Sequence, residues 1–213
     1  MLFGDISLPQ LLAIVIALVV GITFHEFSHA FVADQLGDHQ PRALGRVSLN
    51  PAAHIDPVGA IFFFLAGFGW GRPVPVNGYA LRPGRIGMAY VAAAGPLANL
   101  VVATAFAIVF RALLLGDLIG PGSDFLGGLL FSIVFYNVAL GLFNLVPIPP
   151  LDGYNLVLPF LPPRTALTVQ RYATYGVLAL MLLIVLSYGQ GGGGPLGWLF
   201  GGAAWITRLL TGA

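Results

Sequence analysis

The first long apolar stretch of the chain ends in two histidines and a glutamate. Leu11 to Phe24 is almost entirely apolar, and the motif His25-Glu26-x-x-His29 follows it directly. Ionisable side chains are costly in a membrane helix and therefore mark function there. This feature constrains the fold most, because the chain must bury a polar site at the end of a membrane-spanning helix.

The motif has the composition of a hydrolytic metal site. Residues four apart lie on one face of a helix, so His25 and His29 can bind one metal ion. The pair suits Zn²⁺, although iron or cobalt could use the same ligands. Glu26, the only glutamate in the chain, suits a general base that takes a proton from metal-bound water. Because cysteine is absent, further ligands must be His, Asp or Glu.

The composition indicates an all-α polytopic membrane protein. Of the residues, 58% are hydrophobic and only 8% are charged, whereas a soluble domain carries about 25% charged residues. There is no basic run that would indicate nucleic-acid binding. We expect one membrane-embedded domain over 1–213. Residues 196–210 are short for a span and predict an interfacial helix or a tilted fifth span. Four stretches are long enough to span a bilayer: about 6–33, 87–115, 125–147 and 172–188.

The segment between the first two spans is rich in Pro, Gly and Asn. Its apolar patch at 60–68 is too short to span, so it is either a hydrophobic anchor of an ordinary loop or a re-entrant segment. Residues 74–77 alternate with prolines, which favours an edge strand or an extended loop. In the re-entrant interpretation, this β-like loop could pair with an extended peptide.

The third span runs into prolines at 147, 149 and 150, which cannot continue a regular helix. Open backbone at membrane depth is tolerated only where it lines a cavity or is buried in protein. Asp152 follows this break and is the best candidate for a third ligand, the alternative being an Asp-Gly surface turn. For the Asn99 side chain in the second span we expect either an interhelical hydrogen bond, which we favour, or a direct catalytic role.

The distribution of arginine predicts the orientation. The loops after the first and third spans hold most of the arginines, whereas the loop after the second has only Arg111 at its edge. The positive-inside rule then places the N-terminus outside the cytoplasm. This orientation places all three candidate ligands, His25, His29 and Asp152, at the cytoplasmic ends of their spans. It follows from the arginines alone, without any assumption about zinc.

Together these motifs resemble the site-2 protease family of intramembrane zinc metalloproteases. The resemblance covers roughly residues 8–160. It rests on His25-Glu26-Phe27-Ser28-His29, Ser48-Leu49-Asn50-Pro51-x-x-His54-x-Asp56-Pro57-x-Gly59, Pro73-Val74-Pro75-Val76-Asn77, Ala94-Gly95-Pro96-x-x-Asn99 and Asn144-x-x-Pro147-x-Pro149-x-Leu151-Asp152-Gly153.

The resemblance implies a three-helix catalytic core, about 6–160, that cleaves transmembrane segments of substrate proteins in regulated intramembrane proteolysis. It implies that His25, His29 and Asp152 bind one Zn²⁺ and that Glu26 is the catalytic base. Asn144 is expected to polarise the scissile carbonyl or hold substrate, and Asn77 and Asn99 are further candidates for that role. His54 matches a family position; we favour a structural hydrogen bond, with a gating or transient metal contact as the alternative. We expect a minimal member without an inserted PDZ domain or a soluble regulatory domain.

The sequence is also compatible with two other classes of membrane protein, a transporter and a zinc-binding scaffold. Broken helices with an intramembrane carboxylate also occur in small-solute transporters, but the sequence has no evident repeated half. A zinc-binding membrane scaffold, or pseudoprotease, would keep the ligands without the activity, and the intact Glu26 argues against it. The expected partners are a transmembrane protein substrate and the lipid bilayer, and no oligomeric state is predicted.

Overall fold

A computed structural model describes residues 6–66, 69–120, 125–189 and 194–212. This part of the chain is helical and contains no β-strand. Its α-helices are α1 (Leu8–Gln35), α2 (Gln40–Ala43), α3 (Pro57–Ala66), α4 (Arg85–Leu115), α5 (Phe125–Asn144), α6 (Asp152–Val157), α7 (Pro163–Arg171), α8 (Ala173–Gly189) and α9 (Gly197–Thr211). Two short 3₁₀ turns lie at Pro51–Ala53 and Leu158–Phe160.

Helices α1, α4 and α5 form a three-helix bundle in which each helix packs against the other two. All three are long and apolar enough to cross a membrane. A fourth crossing is reached if α7 and α8, which meet at a 57° bend, together form one span. The predicted all-α polytopic fold is confirmed. Helices α1, α4, α5 and α8 begin and end within about three residues of the predicted stretches, and the fourth crossing stays a prediction because α8 qualifies only together with α7.

Small side chains set the close spacing of the bundle. Ala17 of α1 packs with Val102 of α4 and Ile133 of α5. Ala103 and Ala107 of α4 pack against α5 and against Ala203 of α9. Small residues let helix backbones approach closely, which is the main source of packing energy where lipid is as apolar as the side chains. Helix α9 therefore lies against the bundle, and at about 22 Å it is shorter than a hydrocarbon core of about 30 Å.

The segment between α1 and α4 folds back along α3. A Cβ at Gly59 would overlap the backbone of Trp70, so glycine is needed where the returning chain crosses α3. The apolar side chains of Val58, Ile61 and Phe64 are exposed, as expected of a segment that dips into lipid. Residues 72–76 belong to no strand. Of the two interpretations of 74–77, the edge strand and the extended loop, the structure has the loop. Among the residues that the structure describes, one isolated bridge joins Ile55 to Gly71.

Candidate metal centre

Three side chains from two distant parts of the sequence converge in the bundle near the end of α5, beside Gly95 of α4. His25 and His29 lie one turn apart on α1, and their Nε2 atoms are 3.1 Å apart. Asp152 is the first residue of α6. Its Oδ2 lies 3.0 Å from His25 Nε2 and 3.2 Å from His29 Nε2. In the described residues, these three form the one group of His, Asp and Glu side chains arranged to hold a metal ion.

The spacing of these donor atoms fits a single zinc ion. Tetrahedral Zn²⁺ with bonds of about 2.0 Å to nitrogen or oxygen has its ligand atoms about 3.3 Å apart. The triangle of two Nε2 atoms and Oδ2 has edges of 3.0, 3.1 and 3.2 Å, close to one face of that tetrahedron. Asp152 Oδ2 is buried without a hydrogen-bond partner. The donor set would leave the fourth coordination position open, as in catalytic zinc sites.

The second ring nitrogen of each histidine meets an acceptor. His25 Nδ1 lies 2.7 Å from Asn99 Oδ1, and His29 Nδ1 lies 2.7 Å from the carbonyl oxygen of Val91. Each Nδ1 therefore carries the hydrogen, and in a neutral imidazole Nε2 then presents its lone pair. Two imidazole lone pairs and a carboxylate oxygen face one another across about 3 Å, an arrangement that a cation stabilises.

Gly95 on α4 allows the histidines to sit against that helix. A Cβ at this position would lie 2.6 Å from His25 Cε1 and would overlap His29 Nε2. In the sequence, Gly95 stands out only as part of the motif Ala94-Gly95-Pro96-x-x-Asn99, and its contact with the histidines is not predicted from it. Its spacing from Asn99 was the available signal, because residues four apart lie on the same helix face.

The break after α5 presents Asp152. Helix α5 ends at Asn144 and the proline-rich turn follows, which confirms the predicted helix break. Leu151, beside the carboxylate, is buried against Leu180 and Ile184 of α8. A Cβ at Gly153 would overlap backbone carbonyls of the turn, so glycine is required for α6 to start where it does. The Asp-Gly pair is therefore part of a packed turn at the site.

Glu26 contacts the segment 71–77, which we call the strap. The Val74 N–H donates to Glu26 Oε2 at 3.2 Å. Arg46 holds the strap by donating to the Pro73 carbonyl at 3.1 Å and to the Arg72 carbonyl. Burial lowers the pKa of Arg46, but a guanidinium remains protonated in proteins. The strap thus connects a buried cation to the carboxylate predicted to be the base.

The other predicted site residues lie outside the three-residue cluster. His54 is fully buried, with Nε2 2.6 Å from the Ser48 carbonyl, which favours the structural interpretation. Asn77 Oδ1 accepts from the Tyr79 N–H at 3.1 Å within a turn. Asn144 donates from Nδ2 to the Leu140 carbonyl of its own helix at 3.0 Å. Asn99 contacts His25, in line with the interhelical hydrogen bond that we favoured.

The fold and the site define a helical membrane protein with a His-His-Asp group that could hold one metal ion, and comparison with known proteins gives the family. The pattern of peptidase family M50 matches residues 123–187. The relative named "Putative zinc metalloprotease YwhC" from Bacillus subtilis is 40% identical over 182 residues, which cover 83% of this chain and 82% of that protein. The relative named "Putative zinc metalloprotease Rip2" from Mycobacterium tuberculosis is 31% identical over 200 residues, covering 90% and 71% of the two chains.

The chain belongs to peptidase family M50, the site-2 protease family, and is a zinc metalloprotease of the membrane. Family members act on membrane-protein substrates within a bilayer. No solved structure matches the chain with statistical significance.

Proposed function

We propose that the protein is an intramembrane endopeptidase that hydrolyses peptide bonds in the transmembrane segments of other membrane proteins. The observation that carries this proposal is the location of the ligand cluster. His25 and His29 belong to α1, an apolar helix long enough to span the bilayer. A rise of about 25 Å separates Leu8 from His25, so cleavage takes place inside the hydrocarbon layer, near one face.

In this proposal His25, His29 and Asp152 would hold the zinc ion, which would supply activation of a water molecule and polarisation of the scissile carbonyl. Glu26 then acts as the base, taking the proton of the attacking water and passing it to the leaving amine. The Val74 N–H holds one carboxylate oxygen of Glu26, which fixes the orientation of the base. Asn144, at the end of α5, remains our candidate for binding the scissile carbonyl.

The substrate must be extended where it is cut, because the peptide bonds of a helix are shielded and internally paired. The strap supports this step, since it lies beside Glu26 and belongs to no strand. An extended substrate segment would add to the strap by main-chain hydrogen bonds. In the cell we expect such cleavage to release a membrane-tethered factor.

We also infer that the metal centre lies near the cytoplasmic face and the N-terminus outside. Arg85 begins α4 and donates to the Leu161 carbonyl at 3.2 Å, just before α7. Arg164 and Arg171 lie on α7. These arginines are therefore at the end of the bundle that holds the metal ligands, and the positive-inside rule places that end in the cytoplasm.

Replacing Glu26 by glutamine tests the proposed role of the base. The variant keeps the shape of the side chain but cannot accept the proton. We expect zinc content equal to that of the unaltered protein and cleavage of a model transmembrane peptide reduced by at least about 10³-fold, within the range of acid–base catalysis. The same carboxylate-to-amide change at the exposed Asp117 is the control and should leave both properties intact. Full activity of Glu26→Gln would disprove the assignment.

The unaltered protein gives the complementary measurement. A chelator should abolish cleavage of the model peptide, and added Zn²⁺ should restore it. A protein that binds zinc fully but cleaves no transmembrane peptide would instead be the scaffold considered from the sequence.

A further inference from the structure

Asn137 lies behind Asn99, the asparagine whose side chain contacts His25. Asn137 on α5 is fully buried in the bundle. Its Nδ2 donates to the Ile133 carbonyl at 2.8 Å, and its Oδ1 accepts from Asn99 Nδ2 at 3.0 Å. Asn99 in turn places Oδ1 2.7 Å from His25 Nδ1. The three side chains form one chain of hydrogen bonds across α5, α4 and α1.

The direction of this chain is fixed at its far end. A backbone carbonyl only accepts hydrogen bonds, so the Ile133 carbonyl requires the NH₂ group of Asn137. The amide oxygen of Asn137 must then face Asn99, and Asn99 must donate to it from its own NH₂ group. That orientation leaves the oxygen of Asn99 facing His25, and an oxygen there requires a hydrogen on Nδ1.

The opposite orientation of Asn99 would be incompatible with a metal site. Its NH₂ group would face His25 Nδ1, and that nitrogen would have to accept. The neutral ring would then carry its hydrogen on Nε2, pointing into the gap shared with His29 and Asp152. A nitrogen that carries hydrogen has no lone pair for zinc.

We propose that Asn137 is a positioning residue for the zinc centre, acting through Asn99 to keep the Nε2 lone pair of His25 available. This inference rests on the proposed role of His25 as a zinc ligand. Asn99 Nδ2 also donates to the Gly21 carbonyl at 3.0 Å, which favours the same orientation. Asn137 therefore supplies part of the orienting force, and its loss has a smaller effect than the loss of Asn99.

The test is the zinc dissociation constant of the purified full-length protein, measured by competition with a chromogenic chelator. Partners that orient a metal-bound histidine contribute about 10–100-fold to metal affinity. We expect Asn99→Ala to weaken zinc binding in this range and Asn137→Ala to weaken it about three- to tenfold. Asn137→Val provides a second apolar variant with less of a cavity, and the same loss is expected. Ser132→Ala is the control, because Ser132 lies on the same helix and its hydroxyl donates to the Gly128 carbonyl of that helix.

A double variant separates this role from simple packing. If Asn137 acts through Asn99, Asn137→Ala has no further effect on zinc affinity once Asn99 is alanine. Asn137→Asp should keep zinc affinity within about twofold of the unaltered protein, because a buried carboxyl group is held in its protonated form. That form donates to the Ile133 carbonyl and presents its other oxygen to Asn99. Additive losses in the double variant, or unchanged affinity in both Asn137→Ala and Asn137→Val, would overturn the inference.

The zinc affinity of His25→Ala, measured in parallel, distinguishes a failure of the Asn137 proposal from a failure of the proposed zinc-ligand role of His25. If His25→Ala loses zinc while both apolar Asn137 variants bind it normally, only the role of Asn137 fails. If His25→Ala binds zinc normally, the ligand assignment fails, and the inference about Asn137 falls with it.

Discussion

Gly95 and His25 approach so closely that no side chain fits between them: a Cβ on Gly95 would lie 2.7 Å from Nε2 of the imidazole. Nε2 is also the atom that faces Asp152 at 3.0 Å. Gly95 therefore leaves on α4 the space that the His25 imidazole occupies in the candidate metal centre.

We expect Gly95→Ala to weaken zinc binding at least about tenfold, because the added methyl group displaces both imidazoles. Zinc content after dialysis, with the unfolding midpoint, measures this effect. Gly128→Ala is the matched control, since a Cβ on Gly128 of α5 meets nothing within 4 Å. Alanine is up to about 1 kcal/mol better than glycine inside a helix, so the control should be neutral or slightly stabilising. Normal zinc content in Gly95→Ala would contradict the close packing described here.

Replacing Arg46 should lower the turnover rate without changing zinc affinity. Its guanidinium donates to the carbonyls of Arg72 and Pro73, and the next residue, Val74, holds Glu26. We expect Arg46→Ala to lower kcat about tenfold by loosening the strap, with zinc affinity unchanged. Arg46→Lys should recover only part of the rate, because a lysine cannot reproduce the planar fork of donors.

The control for Arg46 is Arg171→Ala, because the Arg171 side chain is exposed at the end of α7. This change should leave both turnover and zinc affinity as they are in the unaltered protein. Equal activity of the Arg46→Ala and unaltered proteins would show that the strap needs no such support.

Orientation in the membrane can be measured directly, because the chain contains no cysteine. We predict that a single cysteine at Arg164, at the start of α7, is labelled by a membrane-impermeant maleimide only when the cytoplasmic face is accessible. A cysteine at Asp117, beyond the end of α4, should be labelled from outside intact cells. The reverse pattern would invert the topology and move the metal centre to the other face.

The grouping of His25, His29 and Asp152 is predictable because its chemistry is local in the sequence. The spacing of His25 and His29 defines a helix face, and the prolines after α5 define a break that leaves Asp152 at the same depth. The lengths of the apolar stretches gave the spans for the same reason, since the thickness of a bilayer fixes the length of a spanning helix.

The supporting contacts were not predictable in this way, because they depend on how the helices rotate against each other. In the sequence, nothing near Asn137 distinguishes it from an asparagine that bonds its own helix. In the structure it bonds both the Ile133 carbonyl of its own helix and Asn99 of α4. The contact of Val74 with Glu26 depends on the path of a loop that belongs to no helix or strand. Asn77 was proposed from a motif, yet its amide oxygen closes a turn with Tyr79.

Zinc binding by Asp152→Ala is the most direct test of the account, because Asp152 alone comes from outside α1 and completes the ligand set. We predict about one zinc per chain in the unaltered protein after dialysis, and a loss of most of it in Asp152→Ala with the helical content preserved. Asp56→Ala is the control, since the Asp56 carboxylate lies in a separate loop and accepts from the Val58 and Gly59 N–H groups there. An Asp152→Ala protein that binds zinc as tightly as the unaltered protein would contradict the His25-His29-Asp152 centre.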